Sequence, residues 1–129
     1  MGITLKLASN PSENLKLSSS GFNDTRYLLT AYVMKLSYGN VSSAFLNYYP
    51  KILKNKDMLF WDFIVKSDVE GNFSQEEIER LLKEFSKHKE SISEFFNIEI
   101  DDPTWQLSFG RLFDLLEKAQ KENTYITYC

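Results

Sequence analysis

Apolar and polar residues alternate at the start of the chain. Residues 3–7 (ITLKL) and 15–17 (LKL) both repeat with a period of two, the period at which one face of a strand is buried. The polar stretch between them, residues 9–14 (SNPSEN), is dense in turn formers. The pattern predicts a β-hairpin. Residues 125–128 (YITY) are β-branched and aromatic, and they favour a further strand beside this hairpin.

A helical period of three to four residues follows. Its broad apolar face predicts a helix with Asn23 or Asp24 as the cap and Gly39 at the end. A second helix is predicted from Val41 through Tyr48, and Pro50 is expected to stop or kink it. The apolar face of the first helix comprises Leu28, Leu29, Tyr32, Val33, Met34 and Leu36.

Residues 58–65 (MLFWDFIV) are too uniformly apolar for periodicity to choose between a buried strand and a buried helix, so both stay open. The next segment is clearer, because Ser74 and Glu77 have the spacing of a capping box. An apolar stripe follows over about six turns of helix. The members of the stripe are Ile78, Leu81, Leu82, Phe85, Ile92, Phe95 and Phe96.

A last helix is predicted to begin at Asp102, with Pro103 at its first position, or one turn later at Ser108, and to fray near Asn123. The whole pattern predicts an α+β fold. We expect a small antiparallel sheet, made of the amino-terminal hairpin and the carboxy-terminal strand, packed with about four helices. No linker or internal repeat divides the sequence, so residues 1–129 are expected to form a single domain.

The composition is that of a globular protein, with 43% hydrophobic and 15% aromatic residues. The only cysteine is Cys129, so no intramolecular disulfide is possible and the fold does not need an oxidising compartment. The first seven residues lack the basic start and apolar run of a signal peptide, and no apolar stretch approaches the roughly 20 residues that span a bilayer. These observations predict a cytoplasmic protein without membrane contact.

The sequence contains no local motif of a common catalytic site: no glycine-rich phosphate loop, nucleophile elbow or paired-histidine zinc motif. The one histidine, His88, is expected on a helix surface, because a zinc ligand or a general base needs partners. We therefore expect no enzyme, no catalytic residue and no cofactor. A small enzyme whose carboxylates are brought together by the fold stays an alternative.

One segment resembles part of a calcium-binding loop around Gly71. The residues on ligand positions would be Asp68, Glu70, Ser74 and Glu77. The first position, however, is Lys66, which places a cation where the loop needs a carboxylate. Gly71 and the capping box also suit a tight turn into a helix, so no metal is expected.

Residues 48–56 (YYPKILKNK) interleave aromatic and basic side chains, which is typical of nucleic-acid contacts. The chain as a whole is acidic, with 18 Asp and Glu against 15 Lys and Arg and a net charge of -3. It therefore lacks the broad basic field of proteins that recognise phosphates. A solvated helix end explains these lysines, and no nucleic-acid partner is expected.

Acidic residues are concentrated in two stretches, at positions 68–79 and 99–102. Carboxylates near helix amino termini are stabilised by the macrodipole, which explains either stretch without a function. Alternatively, they form a negative surface that attracts a basic partner. On this second hypothesis the partner-contacting residues are Asp68, Glu70, Glu76, Glu99, Asp101 and Asp102.

The predicted elements are an amino-terminal hairpin, helices, a late Trp105, a final helix and a short terminal strand. This order is similar to that of α+β immunity proteins from bacterial polymorphic-toxin and contact-dependent growth inhibition systems. The resemblance extends over the whole chain in size, composition and element order, and it transfers no site residues. It implies tight binding to a cognate toxin domain, often a nuclease, whose active or substrate surface is masked. A phage-encoded inhibitor or a regulatory adaptor is the alternative among binding proteins.

Overall fold

The computed structural model describes residues 2–38, 45–67 and 69–129. Within them, four strands form one antiparallel sheet in the order β2-β1-β4-β3. The strands are β1 (Gly2–Leu7), β2 (Asn14–Ser18), β3 (Gly71–Phe73) and β4 (Ile126–Tyr128). The predicted α+β class is confirmed.

Helices make up most of the remaining described chain. The long helices are α1 (Ser19–Tyr38) and α4 (Gln75–Phe96), and two shorter helices lie between them, α2 (Phe45–Lys54) and α3 (Trp61–Ile64). A final helical stretch consists of α5 (Pro103–Trp105), a π-helical turn (Gln106–Gly110) and α6 (Arg111–Lys121). We call residues 106–110 the π turn.

The predicted hairpin and the predicted terminal strand are both confirmed, and β1 joins them. Leu5 pairs with Leu15 of β2 on one side and with Tyr128 of β4 on the other. The alternation of β1 explains this central position, because Ile3, Leu5 and Leu7 are all buried on one face. The sheet is thus built from residues near both ends of the sequence.

The fourth strand, β3, was not predicted. It has only three residues, and in the sequence Gly71 indicates a turn and not a strand. Phe73 pairs with Ile126, which places its buried ring against the rest of the sheet core. Gly71 is required by close packing, because a Cβ atom there would lie 2.7 Å from the Tyr128 hydroxyl oxygen.

Helix α1 begins earlier than predicted. The prediction of Asn23 or Asp24 as the cap is wrong, because the Ser18 hydroxyl accepts the Gly21 N–H at 2.9 Å and starts the helix at Ser19. Asn23 instead accepts a hydrogen bond from Arg26. Since Ser18 is also the last residue of β2, strand and helix follow each other without a loop. The predicted end of the helix at Gly39 lies outside the described residues.

The predictions for the middle of the chain are met only in part. Residues 41–44 of the predicted second helix lie outside the described part, and α2 begins at Phe45. Pro50 does not stop it, because α2 continues to Lys54. The end of α2 is anchored by the buried Ile52, whose carbonyl accepts the Trp61 indole N–H at 2.8 Å. The ambiguous segment 58–65 contains the short helix α3 and no strand.

The capping predictions for the later helices are confirmed. Ser74 and Glu77 form the reciprocal capping box of α4. This helix ends at Asn97, whose φ of 54° lies in the left-handed region. Asp102 caps the final helical stretch by accepting the Thr104 N–H at 2.8 Å, so the earlier of the two predicted starts is correct. The end at Lys121 agrees with the fraying predicted near Asn123.

Aromatic rings fill the core in two groups. One group lies under the sheet and contains Phe22, Phe63, Phe73 and Tyr128, with ring centroids 5.1–5.9 Å apart. The other lies between α4 and the final helical stretch. There Phe85 and Phe113 stack with their centroids 3.8 Å apart, and Trp105 stacks on Phe85 at 5.8 Å.

The π turn packs against α1. The Thr25 hydroxyl, on α1, donates a hydrogen bond to the carbonyl of Ser108 inside this turn at 2.6 Å. A π turn departs from the regular pattern of α-helical hydrogen bonds, and Thr25 gives one of its carbonyls a donor from another helix. Thr25 is only 4% exposed, and water has little access to replace it.

Thr25→Val keeps the volume of the side chain and removes this donor. We expect a loss of about 1–3 kcal/mol in the free energy of unfolding, because the Ser108 carbonyl loses its side-chain donor. Urea denaturation would measure it. The control is Thr127→Val, the same chemical change at an exposed position of β4, which should stay within about 0.5 kcal/mol of wild type. Equal stability of the two variants would contradict a role for the Thr25 bond.

Candidate functional site

Two groups of charged side chains could carry a function, and the first joins α3 to α4. We call it the polar row; its members are Asp62, Lys66, Glu77, Arg80 and Glu84. Arg80 donates two hydrogen bonds to the buried Asp62 carboxylate, at 2.9 and 3.0 Å. Lys66 pairs with Glu77 at 2.6 Å. Burial acts to raise the pKa of Glu77, but the hydrogen bonds from Lys66 and from the Ser74 backbone outweigh it and lower the pKa.

Glu84 accepts the backbone N–H of Phe60 at 3.1 Å. Burial raises the pKa of Glu84 above its ordinary value, and the hydrogen bond from Phe60 opposes this only in part. His88 lies one turn further along α4, where the Tyr32 hydroxyl is 2.8 Å from its Nδ1. Burial lowers the pKa of His88, which favours the neutral ring. The only histidine is thus half-buried and bonded to α1.

The polar row serves the fold. Its hydrogen bonds to Phe60, Asp62 and Lys66 join α4 to α3 or to the chain beside it, so its carboxylates are engaged with neighbours. Within the described ranges, no group of three or more His, Cys, Asp and Glu side chains is placed to hold a metal ion. The row therefore explains how α3 is held.

The second group consists of the predicted acidic residues, which the fold separates. Glu70 and Glu76 are exposed near the amino-terminal end of α4, and Asp68 lies outside the described residues. Glu99 and Asp101 are exposed beyond the other end of the helix, as is Asp102. Since α4 has 22 residues, the two stretches are roughly 30 Å apart. They do not form one continuous patch.

The stretch at the amino-terminal end has a structural explanation. Glu76 and Glu77 lie in the first turn of α4, where the macrodipole stabilises carboxylates. The cations of Lys66 and Arg80 lie beside them, so the surface there has mixed charge. This end needs no partner to account for its acidic residues.

The other end is different, and we call it the acidic corner. It comprises the exposed residues Glu90, Glu94, Glu99, Asp101 and Asp102. None of the five makes an ion pair with another described residue. From Glu90 to Gly110 the sequence contains no Lys or Arg. The sequence analysis did not include Glu90 and Glu94 among the candidate residues, although the lack of Lys and Arg in this run could have indicated them.

Helix electrostatics do not explain the acidic corner. Glu94 lies in the last turn of α4, where the helix carbonyls concentrate negative charge and where no basic residue is present. A carboxylate at this position is unfavourable by about 0.3–1 kcal/mol. Asp102 is the exception, because its side chain caps α5. Lys35 of α1 lies over the ring of the neighbouring Phe95, with its Nζ 4.9 Å from the centroid, but it forms no ion pair with Glu94 in the described chain. A cost to stability that no ion pair offsets points to a role other than stability.

The turn that carries the corner is well ordered by hydrogen bonds. Ser93 accepts the Ile98 N–H through its carbonyl at 3.0 Å and donates its hydroxyl to the Ile98 carbonyl at 2.6 Å. The Asp102 N–H donates to the Glu99 carbonyl at 2.9 Å. The carboxylates between these bonds are therefore held on a fixed backbone.

An exposed apolar side chain lies beside the corner. Leu107 is 63% exposed in the π turn, five residues after Asp102 and four after Pro103. A helical spacing of four places Leu107 and Pro103 on the same side of the helical stretch. A single exposed apolar side chain is common on protein surfaces, so Leu107 gains significance only from its position beside the carboxylates. The corner thus combines negative charge with an apolar contact.

The sequence matches no protein-family model, and it gives no significant match to a curated protein or to a solved structure. No helix in the described ranges combines the length and the apolar character that crossing a membrane requires.

Glu84→Gln tests the environment of the polar row. With a raised folded pKa, the stabilisation by Glu84 is fully present below its ordinary value of 4.5 and is lost as the pH rises through the folded pKa. Gln keeps a carbonyl oxygen for the Phe60 N–H and does not titrate. We expect the variant to gain stability relative to wild type as the pH rises, in urea denaturation at about pH 5 and about pH 7.5. Parallel pH profiles for the two proteins would disprove a raised pKa.

Proposed function

We propose that this protein binds a basic protein surface through its acidic corner, and that the partner is a bacterial toxin domain which the complex neutralises. The observation that carries the proposal is the set of exposed carboxylates without ion pairs in the described chain, together with the unfavourable position of Glu94 on α4. The proposed role needs no catalysis and no cofactor. It places the protein in the cytoplasm of the toxin-producing bacterium.

The charge of the corner suits a partner that handles nucleic acid. A nuclease domain presents Lys and Arg to phosphates, and a fixed array of carboxylates competes for the same cations. Long-range attraction between the two surfaces speeds their encounter, while Leu107 would contribute after contact. Masking the substrate surface is then sufficient for neutralisation.

The first experiment tests capture and rescue. The carboxy-terminal domain of the protein encoded by the open reading frame directly upstream is produced in cells with and without this chain. We expect that domain to inhibit growth alone, to be tolerated in the presence of this protein, and to co-purify with it. If the two proteins do not associate and growth is not rescued, the immunity proposal is wrong. The hypothesis to test next is then a phage inhibitor or a regulatory adaptor.

Charge reversal then locates the interface. The corner variant Glu94→Lys/Glu99→Lys/Asp101→Lys spares Asp102, whose carboxylate caps α5. We expect association with the captured domain to slow by about tenfold or more at low salt, with a weaker salt dependence, because long-range attraction is lost. Stopped-flow mixing at several ionic strengths would measure this.

A matched control changes the net charge by the same amount at the opposite end of α4. Glu70→Lys/Glu76→Lys/Glu122→Lys reverses three exposed carboxylates there, since Gln75 binds the Asn123 carbonyl beside Glu122. Association of this control should stay close to wild type. Equal slowing by both triple variants would assign the effect to net charge and would remove the corner from the interface.

Leu107→Ala tests the apolar anchor. We expect dissociation of the complex to become about tenfold faster, since truncation of a central contact acts mainly on the dissociation rate. The folded protein should lose less than about 0.5 kcal/mol, because Leu107 is largely exposed. Val69→Ala is the control, as Val69 is 64% exposed near the other end of α4. Unchanged dissociation of Leu107→Ala would exclude this residue from the contact.

A further inference from the structure

A groove of about 570 Å³ runs between α4 and the final helical stretch. Ile100, between Glu99 and Asp101, lines one part of it, but none of the carboxylates of the acidic corner and none of the polar row do. The two helices are antiparallel, since Phe85 stacks on Phe113 while residues before Phe85 lie near the end of α6. We call this feature the α4–α6 groove. Its volume falls in the range of pockets that hold small ligands or peptide segments.

Charges are distributed unequally along the groove. At one end lie the carboxylates of Glu79 and Glu117, and at the other end lie Lys87 and Lys89. Lys83 and Asp114 line the groove between the two ends, one charge of each sign, and Lys83 pairs with Glu79 at 3.4 Å. Lys87, Lys89 and Glu117 make no ion pair with a residue of the described ranges. The groove therefore has a negative end and a positive end. Glu117 at the first and Lys87 and Lys89 at the second could each form an ion pair with a ligand.

The floor of the groove is apolar, and polar groups suited to a peptide backbone lie at its positive end. Phe85 and Phe113 form the floor in the middle. The Gln106 side chain lies directly over Gly110, where a Cβ atom would come within 2.5 Å of the Gln106 Oε1. The glycine thus keeps a carboxamide, with one acceptor and two donors, inside the groove. Trp105 also lines the groove, and its indole N–H has no hydrogen-bond acceptor among the described residues.

The length of the groove sets the size of its occupant. From Glu79 to Lys89 the helix rises about 15 Å. An extended peptide covers this distance in about four to five residues. A cation and an anion four residues apart on such a peptide would reach the two charged ends, and an apolar residue between them would lie over the aromatic floor.

We propose that the α4–α6 groove binds an extended peptide segment of a partner protein, with a basic residue at the Glu79–Glu117 end, an acidic residue at the Lys87–Lys89 end and an apolar residue between them. The occupant follows from the charge order of the groove, since a single-sign ligand would meet a like charge at one end. This inference is independent of the toxin proposal, because it concerns other side chains and a different ligand chemistry.

The probe is the blocked peptide acetyl-Lys-Ala-Leu-Ala-Glu-amide, added to the full-length ¹⁵N-labelled protein and followed by NMR. We expect saturable shifts at the Gln106 side-chain amide, the Trp105 indole N–H and the Gly110 amide. The affinity should be in the millimolar range, as short peptides on open grooves bind weakly. Acetyl-Lys-Ala-Leu-Ala-Lys-amide and acetyl-Glu-Ala-Leu-Ala-Glu-amide should bind at least about fivefold more weakly.

Two variants separate charge from shape. Lys87→Glu/Lys89→Glu should weaken binding of the mixed-charge peptide about fivefold or more, while the matched control Lys6→Glu/Lys16→Glu changes two exposed lysines on the open face of the sheet and should bind as wild type. Gly110→Ala displaces the Gln106 carboxamide without changing charge, and it should also weaken binding.

The corner variant Glu94→Lys/Glu99→Lys/Asp101→Lys should bind the peptide normally, which distinguishes failure of this proposal from failure of the toxin proposal.

Three results would overturn the inference. The first is the absence of saturable shifts at groove residues. The second is tightest binding of the peptide with two acidic residues, which would make the groove an anion site. The third is a set of groove shifts that depends on protein concentration without peptide, which would make a second copy of the chain the occupant.

Discussion

The contact between α4 and the final helical stretch is the constraint on which the surface of this protein depends. Phe85 holds it by stacking on both Phe113 and Trp105. Such ring pairs contribute about 0.5–1.5 kcal/mol each beyond the burial of their area. Because the acidic corner is the turn that joins the two helices and the α4–α6 groove is the channel between them, both features keep their geometry only while these rings stay packed. The residues that would bind partners are polar, but apolar residues determine where they lie.

The two acidic stretches show how similar composition leads to different roles. At the amino-terminal end of α4, carboxylates are where a helix favours them, and Glu77 adds a capping bond and a pair with Lys66. At the other end, Glu94 lies in the last turn of α4, which contains no basic residue. The difference is one of position relative to the helix dipole. An acidic residue indicates a function only where its charge is unfavourable for the local structure, as at the carboxy-terminal end of a helix.

Much of the fold could be predicted because its signals are local. The hairpin, the capping box at Ser74 and the cap at Asp102 each lie within a few residues of the elements they define. The start of α1 was misplaced because Ser18 belongs to both a strand and a cap, and β3 was missed because its three residues need the partner β4 to be a strand at all. The separation of the acidic stretches was implicit in the predicted length of α4. The groove was not, since it depends on how two distant helices pack.

The position of β1 has a consequence for synthesis of the chain. Its inner neighbour, β4, is made of residues 126–128, more than a hundred residues later. While the ribosome is still producing the helices, one edge of β1 has exposed backbone donors and acceptors and an apolar face without its cover. Pairing over such a separation in sequence is slow to form and leaves that edge open to other chains. The edge of β1 that faces β4 therefore stays unpaired until residues 126–128 have been synthesised.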